Sequence, residues 1–421
     1  MLTTISLLPG ITLHCYRDTR FKQGTLSFQF LSPMARVHAA QNALLPAVLL
    51  RGSWRHPDLR TITQHLDDLY GASIGAIVRR AGDYQASGFG LTFIDDRFAL
   101  SGEAVLASMV DFLQELLLCP ALQDGVFRRD YVESEKKNLI AAIESRRNDK
   151  AVYAADQLMK KMCPGDSLGI SRLGEPEQVR AITAQSLYAH YRVLLSEAPV
   201  EIFYVGSAES GQVAALLSPV AARLGGRLTA LPPQLPFQDQ GGGAWQEEMD
   251  ISQTRLNLAF VSPVTLNDPL TIPMRLFNVV FGGGMVSKLF MILREKMSLC
   301  YDISSSYQAS KGILTVTAGI DAANIALARE EILRQLDACC RGEITPVEFT
   351  SAQAALRSSL RSTFDTLGSI EGYYFSAILG GMKLCVEEYR QAVEDAAPEL
   401  LAQAAGTLKL HSEFILKGVS Q

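Results

Sequence analysis

The chain has 421 residues, of which 48% are hydrophobic and 20% charged, with a formal net charge of -5. That length predicts two or three domains, each able to bury its own core. The weak, dispersed charge includes no basic block able to track phosphates, which excludes nucleic acid as an expected partner.

In chain order, the opening "MLTTISLLPGITLHCYRD" carries no positive residue before its apolar part and is interrupted by Pro9-Gly10, so it reads as neither signal peptide nor membrane anchor; a cytoplasmic protein is expected. Period-two alternation predicts strands over 11–17 and 25–32. A helix follows over 36–50, a second around "TITQHLDDLYG", and then two strands, "SIGAIVRR" and "QASGFGLTFI". Apolar residues at i, i+3 and i+4 predict helices over 102–118, 127–147 and 150–162. "QSLYAHYRVLL" extends this helical region and leads into a last strand, "VEIFYVG". Strands grouped apart from long helices predict an α+β fold rather than a doubly wound parallel sheet.

The chain also repeats itself. "TLSFQFLSP" at 25–33 recurs as "RLNLAFVSP" at 255–263, so that Leu26, Phe28, Phe30, Ser32 and Pro33 match Leu256, Leu258, Phe260, Ser262 and Pro263. At the same offset, "LLRG" ending at Gly52 meets "VVFG" ending at Gly282. "ASGFGLTFIDD" at 86–96 resembles "SKGILTVTAGIDA" at 310–322, with a drift of a few residues. A tandem duplication is expected, with lobes at 1–224 and 249–421 and a Pro/Gly-rich linker at 225–248. Each lobe is roughly 200 residues, ordinary for one domain.

Few local patterns carry chemistry. Gly165-Asp166-Ser167-Leu168 matches an esterase nucleophile signature, but the Asp-x-x-His needed to activate the serine is missing, since Leu187 and Leu408 stand three positions before His190 and His411. In "FGGGMVSK", Met285 and Val286 separate the last glycine from Ser287-Lys288, which breaks phosphate-loop spacing and favours a close-packing turn. His65 and Asp68 lie one helical turn apart beside Asp67 and read as a solvated face rather than a metal site. The seven cysteines are odd in number, with only Cys339 and Cys340 close together, so free and mostly buried thiols are expected.

One stretch is more specific. "FGGGMVSKLFMILREKMSLCYDISSSY" at 281–307 resembles the C-terminal half of the insulinase/pitrilysin-type metallopeptidases, the inverzincins that include the mitochondrial processing peptidase. The matching features are the glycine-rich turn Gly282, Gly283 and Gly284, then Ser-Lys-Leu-Phe, Arg-Glu-Lys and a following tyrosine, which gives Arg294 and Tyr301. "GEPEQVRAITAQSLYAHYRVLL" resembles the segment before the first half's last strand, so the likeness runs over nearly the whole chain. It implies two homologous α/β-sandwich lobes forming half of a peptidase clamshell.

Active members carry H-x-x-E-H ahead of a Lys/Arg-Gly-Thr, with two histidines on zinc and the glutamate as general base. Setting Arg51-Gly52-Ser53 on that ending puts the histidine positions at Ala43 and Ala47 and the base at Pro46. The third ligand, a Glu two turns after another Glu, falls on Ala142 when Glu135 is matched to the first acid. Glu144 lies nearby but is expected to point well round the helix from that position. A catalytic zinc needs three protein ligands. The resemblance therefore implies a non-catalytic subunit with no metal of its own, like the inactive partner in heterodimeric bacterial peptidases. The expected partners are a zinc-bearing homologue, or a second copy in a homodimer, and a peptide substrate to which Arg294 and Tyr301 are supplied in trans. A purely structural scaffold subunit is the alternative.

Overall fold

The computed structural model describes residues 2–227 and 230–419. Strands β1 (Leu2–Leu8) and β2 (Ile11–Arg17) form a hairpin around Gly10, whose φ of +74° suits a residue without a side chain. β3 (Gln23–Pro33) leads into helix α1 (Arg36–Leu49), α2 (Leu59–Asp68), β4 (Ser73–Ala81) and β5 (Tyr84–Ile94). Next come α3 (Val105–Leu118), the two-residue strands β6 (Leu122–Gln123) and β7 (Val126–Phe127), α4 (Arg129–Asn148) and α5 (Lys150–Met162). The first half closes with α6 (Pro176–Ala181), α7 (Ala184–Glu197), β8 (Val200–Gly206) and α8 (Ser210–Leu224).

The second half begins with β9 (Ala244–Met249), β10 (Thr254–Val261) and α9 (Thr271–Phe281). It continues through β11 (Cys300–Gln308), β12 (Ile313–Ile320), α10 (Ile325–Cys340), α11 (Pro346–Ser362) and α12 (Leu367–Gly380). It ends with α13 (Val386–Glu394), α14 (Pro398–Ala405) and β13 (Lys409–Gly418). The α+β class expected from the sequence is the one found.

One compact unit comprises 1–144, 170–233 and 365–376. Its sheet has the order β1-β2-β8-β3-β5-β4, with β2 and β8 parallel and the other pairs antiparallel. Leu26, Phe28 and Phe30 of β3 are buried in the layer between this sheet and helices α1, α3, α7 and α8. The other compact unit comprises 145–169, 234–364 and 377–421. Its sheet has the order β11-β12-β10-β13-β9, and Leu256, Leu258 and Phe260 of β10 sit in its helix-side core with α9, α10 and α14. The apolar residues that announced the repeat are thus core residues of equivalent central strands.

Neither unit is a contiguous half of the sequence. α5 buries Tyr153, Ala154, Leu158 and Met162 against Ala259, Phe414 and Leu416, on the second face of the β10 sheet. Correspondingly, Glu371 and Phe375 of α12 meet Ser27, Gln29 and Phe203 on the second face of the β3 sheet. The units therefore differ from lobes 1–224 and 249–421 by an exchange of one helical segment each. The linker also needs correction. Residues 225–227 and 230–243 carry neither helix nor strand, but 244–248 belong to β9, which pairs parallel with β13. The glycines stop the coil at Gly243, and "AWQEEM" alternates in burial as an edge strand does.

Candidate functional site

Helix α1 carries Ala43, Pro46 and Ala47, the positions that the resemblance matches to a metal-binding helix. Ala43 is 5% exposed, Pro46 is buried and Ala47 half-buried; the inward side is packed with Ala40, Leu44, Leu45 and Val48. Pro46 lies inside the helix, where it has no N–H to give the preceding turn. The helix stops before Gly52, where a Cβ would lie 2.4 Å from the Pro57 carbonyl oxygen, so only glycine allows the chain to double back there. Gly282, at the matching place after α9, is held to glycine in the same way, because a Cβ would lie 2.7 Å from Ser305 Oγ.

The loop after α1 is pinned by Glu115, which accepts from Ser53 Oγ at 2.5 Å and from the Arg55 N–H at 3.0 Å. The Arg51 guanidinium reaches Glu135 on α4 at 3.3 Å and lies over the Tyr131 ring. This ties α1, with Ala43, Pro46 and Ala47, to α4, with Ala142. Ala142 is exposed on α4, and Glu144 is exposed and 3.7 Å from Arg180. Methyl groups and a proline ring offer no electron pair to a cation, so these residues do not fit zinc. Among the described residues, no group of three or more His, Cys, Asp or Glu is placed to hold a metal ion.

The second unit carries the retained pair. The glycine turn closes through two N–H groups, of Gly282 and Gly283, both donating to the Asn278 carbonyl at 3.0 and 2.8 Å. Lys288 is buried against Glu348 at 2.9 Å, so it is not a free phosphate-binding lysine. A π-helical turn, Phe290–Lys296, then presents Arg294, exposed, with its guanidinium 4.7 Å over the Phe290 ring. Its recorded ion pair is a loose 3.8 Å contact with the adjacent Glu295.

Ser298 follows with φ of +53°, a conformation that costs a residue bearing a Cβ. Tyr301 occupies a bulge at the start of β11, since Cys300 pairs with Ile320 and Asp302 already pairs with Gly319. The bulge turns the ring outward: Tyr301 is 63% exposed and donates to Asp321 Oδ1 at 3.3 Å. Burial pushes the neighbouring Cys300 thiol up to about 11, with Asp302 adding to the shift and Arg294 opposing it. Neither member of the pair serves the core.

The remaining motifs have structural roles. Ser167 gives its hydroxyl to Asp166 at 3.2 Å, and Asp166 pairs with buried Lys311 at 3.2 Å, so the Gly-Asp-Ser-Leu segment fastens the chain after α5. His65 is half-buried rather than solvated, with its ring against His56 and Phe112. Cys15, Cys163, Cys300 and Cys339 are buried; Cys340 is half-buried, and Cys119 and Cys385 are exposed. Among the described residues no helix is long and apolar enough to cross a membrane. Sequence reasoning missed the hydrogen-bonded row Thr4–His14–Glu201; its one signal was the placing of Thr4 and His14 on either side of Pro9-Gly10.

The chain thus combines a duplicated α+β fold with Ala or Pro at positions 43, 46, 47 and 142 and an exposed Arg294 and Tyr301. Its relatives among known proteins have the same character. Residues 181–356 match the peptidase M16 inactive domain. A probable inactive metalloprotease of Bacillus subtilis is 28% identical over 97% of this chain and 96% of its own. A conserved protein of Enterococcus faecalis superposes with a TM-score of 0.92 at 27% identity, covering 100% of this chain and 99% of that one. A peptidase M16 inactive domain from Pseudomonas fluorescens has the same fold, with a TM-score of 0.81 at 18% identity over 100% and 98% of the two chains. The chain is thus similar over nearly its whole length to a probable inactive metalloprotease, and over residues 181–356 to the peptidase M16 inactive domain.

Proposed function

We propose that this chain is the non-catalytic member of a peptidase pair: it associates with a zinc-bearing homologue, helps enclose a peptide chamber and supplies Arg294 and Tyr301 to the substrate. The observation that carries this reading is the contrast between the two sites. All four metal and base positions are Ala or Pro, whereas Arg294 and Tyr301 stand exposed on a segment with three successive irregularities: the π turn, Ser298 and the bulge. Irregular backbone costs stability and persists where something other than folding uses it. A guanidinium and a phenol suit peptide carbonyls and the oxyanion formed during hydrolysis.

The test is reconstitution. The chain is mixed with an M16 homologue bearing an intact H-x-x-E-H, and peptide hydrolysis is followed with native chain, Arg294→Ala or Tyr301→Phe. A dimer whose rate falls with either substitution supports the reading. A dimer indifferent to both leaves the scaffold role instead.

A further inference from the structure

A cross-strand row on the second face of the first sheet runs Thr4, His14, Phe203, Ser27. Its inner end is covered by Glu371 and Phe375; its outer end is a chain of hydrogen bonds that the proposed function does not use. Thr4 Oγ1 lies 3.0 Å from His14 Nδ1, and His14 Nε2 lies 2.8 Å from Glu201 Oε2. An ionised carboxylate only accepts, so the Nε2–H points to Glu201 and Nδ1 keeps its lone pair. That leaves the Thr4 hydroxyl as the donor to Nδ1.

The His14 ring is 4% exposed and stacked on Phe203 at 4.7 Å, so its orientation is fixed. Thr4 is exposed, which leaves its oxygen lone pairs facing outward. A hydroxyl whose proton is aimed at a base, itself oriented by a third group, is the arrangement that activates a nucleophile. β1 is also the edge strand of its sheet, so alternate N–H groups on it point away from β2.

We propose that Thr4, His14 and Glu201 form a hydroxyl-activating relay that accepts acyl groups from activated carboxylic esters. Thr4 Oγ1 bonds to the acyl carbon as its proton passes to His14 Nδ1. The bond from acyl carbon to leaving oxygen breaks, and that oxygen takes the proton. Water, deprotonated by His14, then cleaves the acyl-threonine and restores the hydroxyl. Glu201 holds the ring and balances the imidazolium.

The probe is a fluorophosphonate added to the full chain. The P–F bond breaks as the Thr4 oxygen bonds to phosphorus, fluoride leaves, and the site is mapped by peptide mass spectrometry. Label is expected on Thr4, absent in Thr4→Val, retained in Thr4→Ser and about 100-fold slower in His14→Gln, the scale of a lost general base. A histidine that merely satisfies both its hydrogen bonds would leave Thr4 as inert as any surface threonine. No label on Thr4, or a Thr4 labelling rate in His14→Gln equal to that of the native chain, overturns the proposal.

Discussion

At the scale of single residues, the exchanged α12 segment is held by one carboxylate. Glu371 is 5% exposed and accepts from Ser27 Oγ at 2.6 Å, Gln29 Nε2 at 3.3 Å and Arg79 Nη1 at 2.7 Å. The Arg79 side chain keeps 30% exposure and lies over Phe375, so its desolvation is partial. Glu371→Ala is expected to destabilise by about 2–3 kcal/mol, the scale for lost hydrogen bonds to a charged group, as read by urea unfolding. A second residue controls the acid limb of stability. Burial, helped by the nearby His38, pulls the His190 imidazole down to about 4 from its ordinary 6.5. The neutral ring is then free to donate Nε2–H to Asn42 Oδ1 at 2.6 Å. Between those two values the unfolded chain binds more protons than the folded one, so this contribution is complete above pH 6.5 and is lost as pH falls toward 4. Its slope cannot exceed about 1.4 kcal/mol per pH unit. His190→Gln, whose amide can still donate to Asn42, is expected to flatten that limb in a Tm-versus-pH series.

At the scale of elements, periodicity in the sequence located the central strands and the longer helices of the first half, because each central strand buries alternate residues and each helix one stripe. The prediction of 25–32 falls within β3, and that of 150–162 coincides with α5. What stayed illegible was where α5 and α12 pack. An amphipathic stripe shows that a helix buries a face, not which sheet receives it, and Tyr153, Leu158 and Met162 would suit either one. β1 was legible only as an apolar stretch, since its burial depends on the neighbour it pairs with. The attachment of α5 is open to test. Asp149 caps it, accepting from the N–H groups of Ala151 and Val152, both at 3.1 Å, and Asp149→Ala is expected to cost about 1 kcal/mol in chemical unfolding. Beyond its other end, Asp166→Ala leaves Lys311 buried without this carboxylate and is expected to cost more, about 3 kcal/mol, as removing one partner of a buried pair does. The reverse ranking would show that the cap, rather than the buried pair, fastens the helix.

At the scale of the whole molecule, the two equivalent central strands share their core pattern, but the helix and loop that follow differ. In the first unit α1 carries Ala and Pro at positions 43, 46 and 47 and is tied to α4 through Arg51 and Glu135; the second exposes a cation and a phenol on irregular backbone. Legibility followed the same division. That Ala43, Pro46, Ala47 and Ala142 bind no metal could be read from residue identity alone, since these side chains exclude ligation in any conformation. The exposure of Arg294 and Tyr301 is not displayed by the sequence. The purified chain is accordingly expected to contain far less than one zinc per molecule by elemental analysis, with none lost on dialysis against chelator. A role in trans makes a sharper demand, because it separates stability from function. Arg294 and Tyr301 contribute an aromatic contact within one turn and a long hydrogen bond, respectively, so Arg294→Ala and Tyr301→Phe are each expected to shift unfolding by no more than about 0.5 kcal/mol. In the reconstituted pair, Arg294→Ala is expected to lower kcat/KM about 100-fold, the order found when a donor to a developing oxyanion is removed. Tyr301→Phe, which leaves the ring in place and deletes only the hydroxyl, is expected to lower it less. Equal losses of stability and rate would mean that the pair serves the fold. A large fall in rate with an unchanged unfolding midpoint would mean that the surface exists for a peptide cleaved by another subunit's metal.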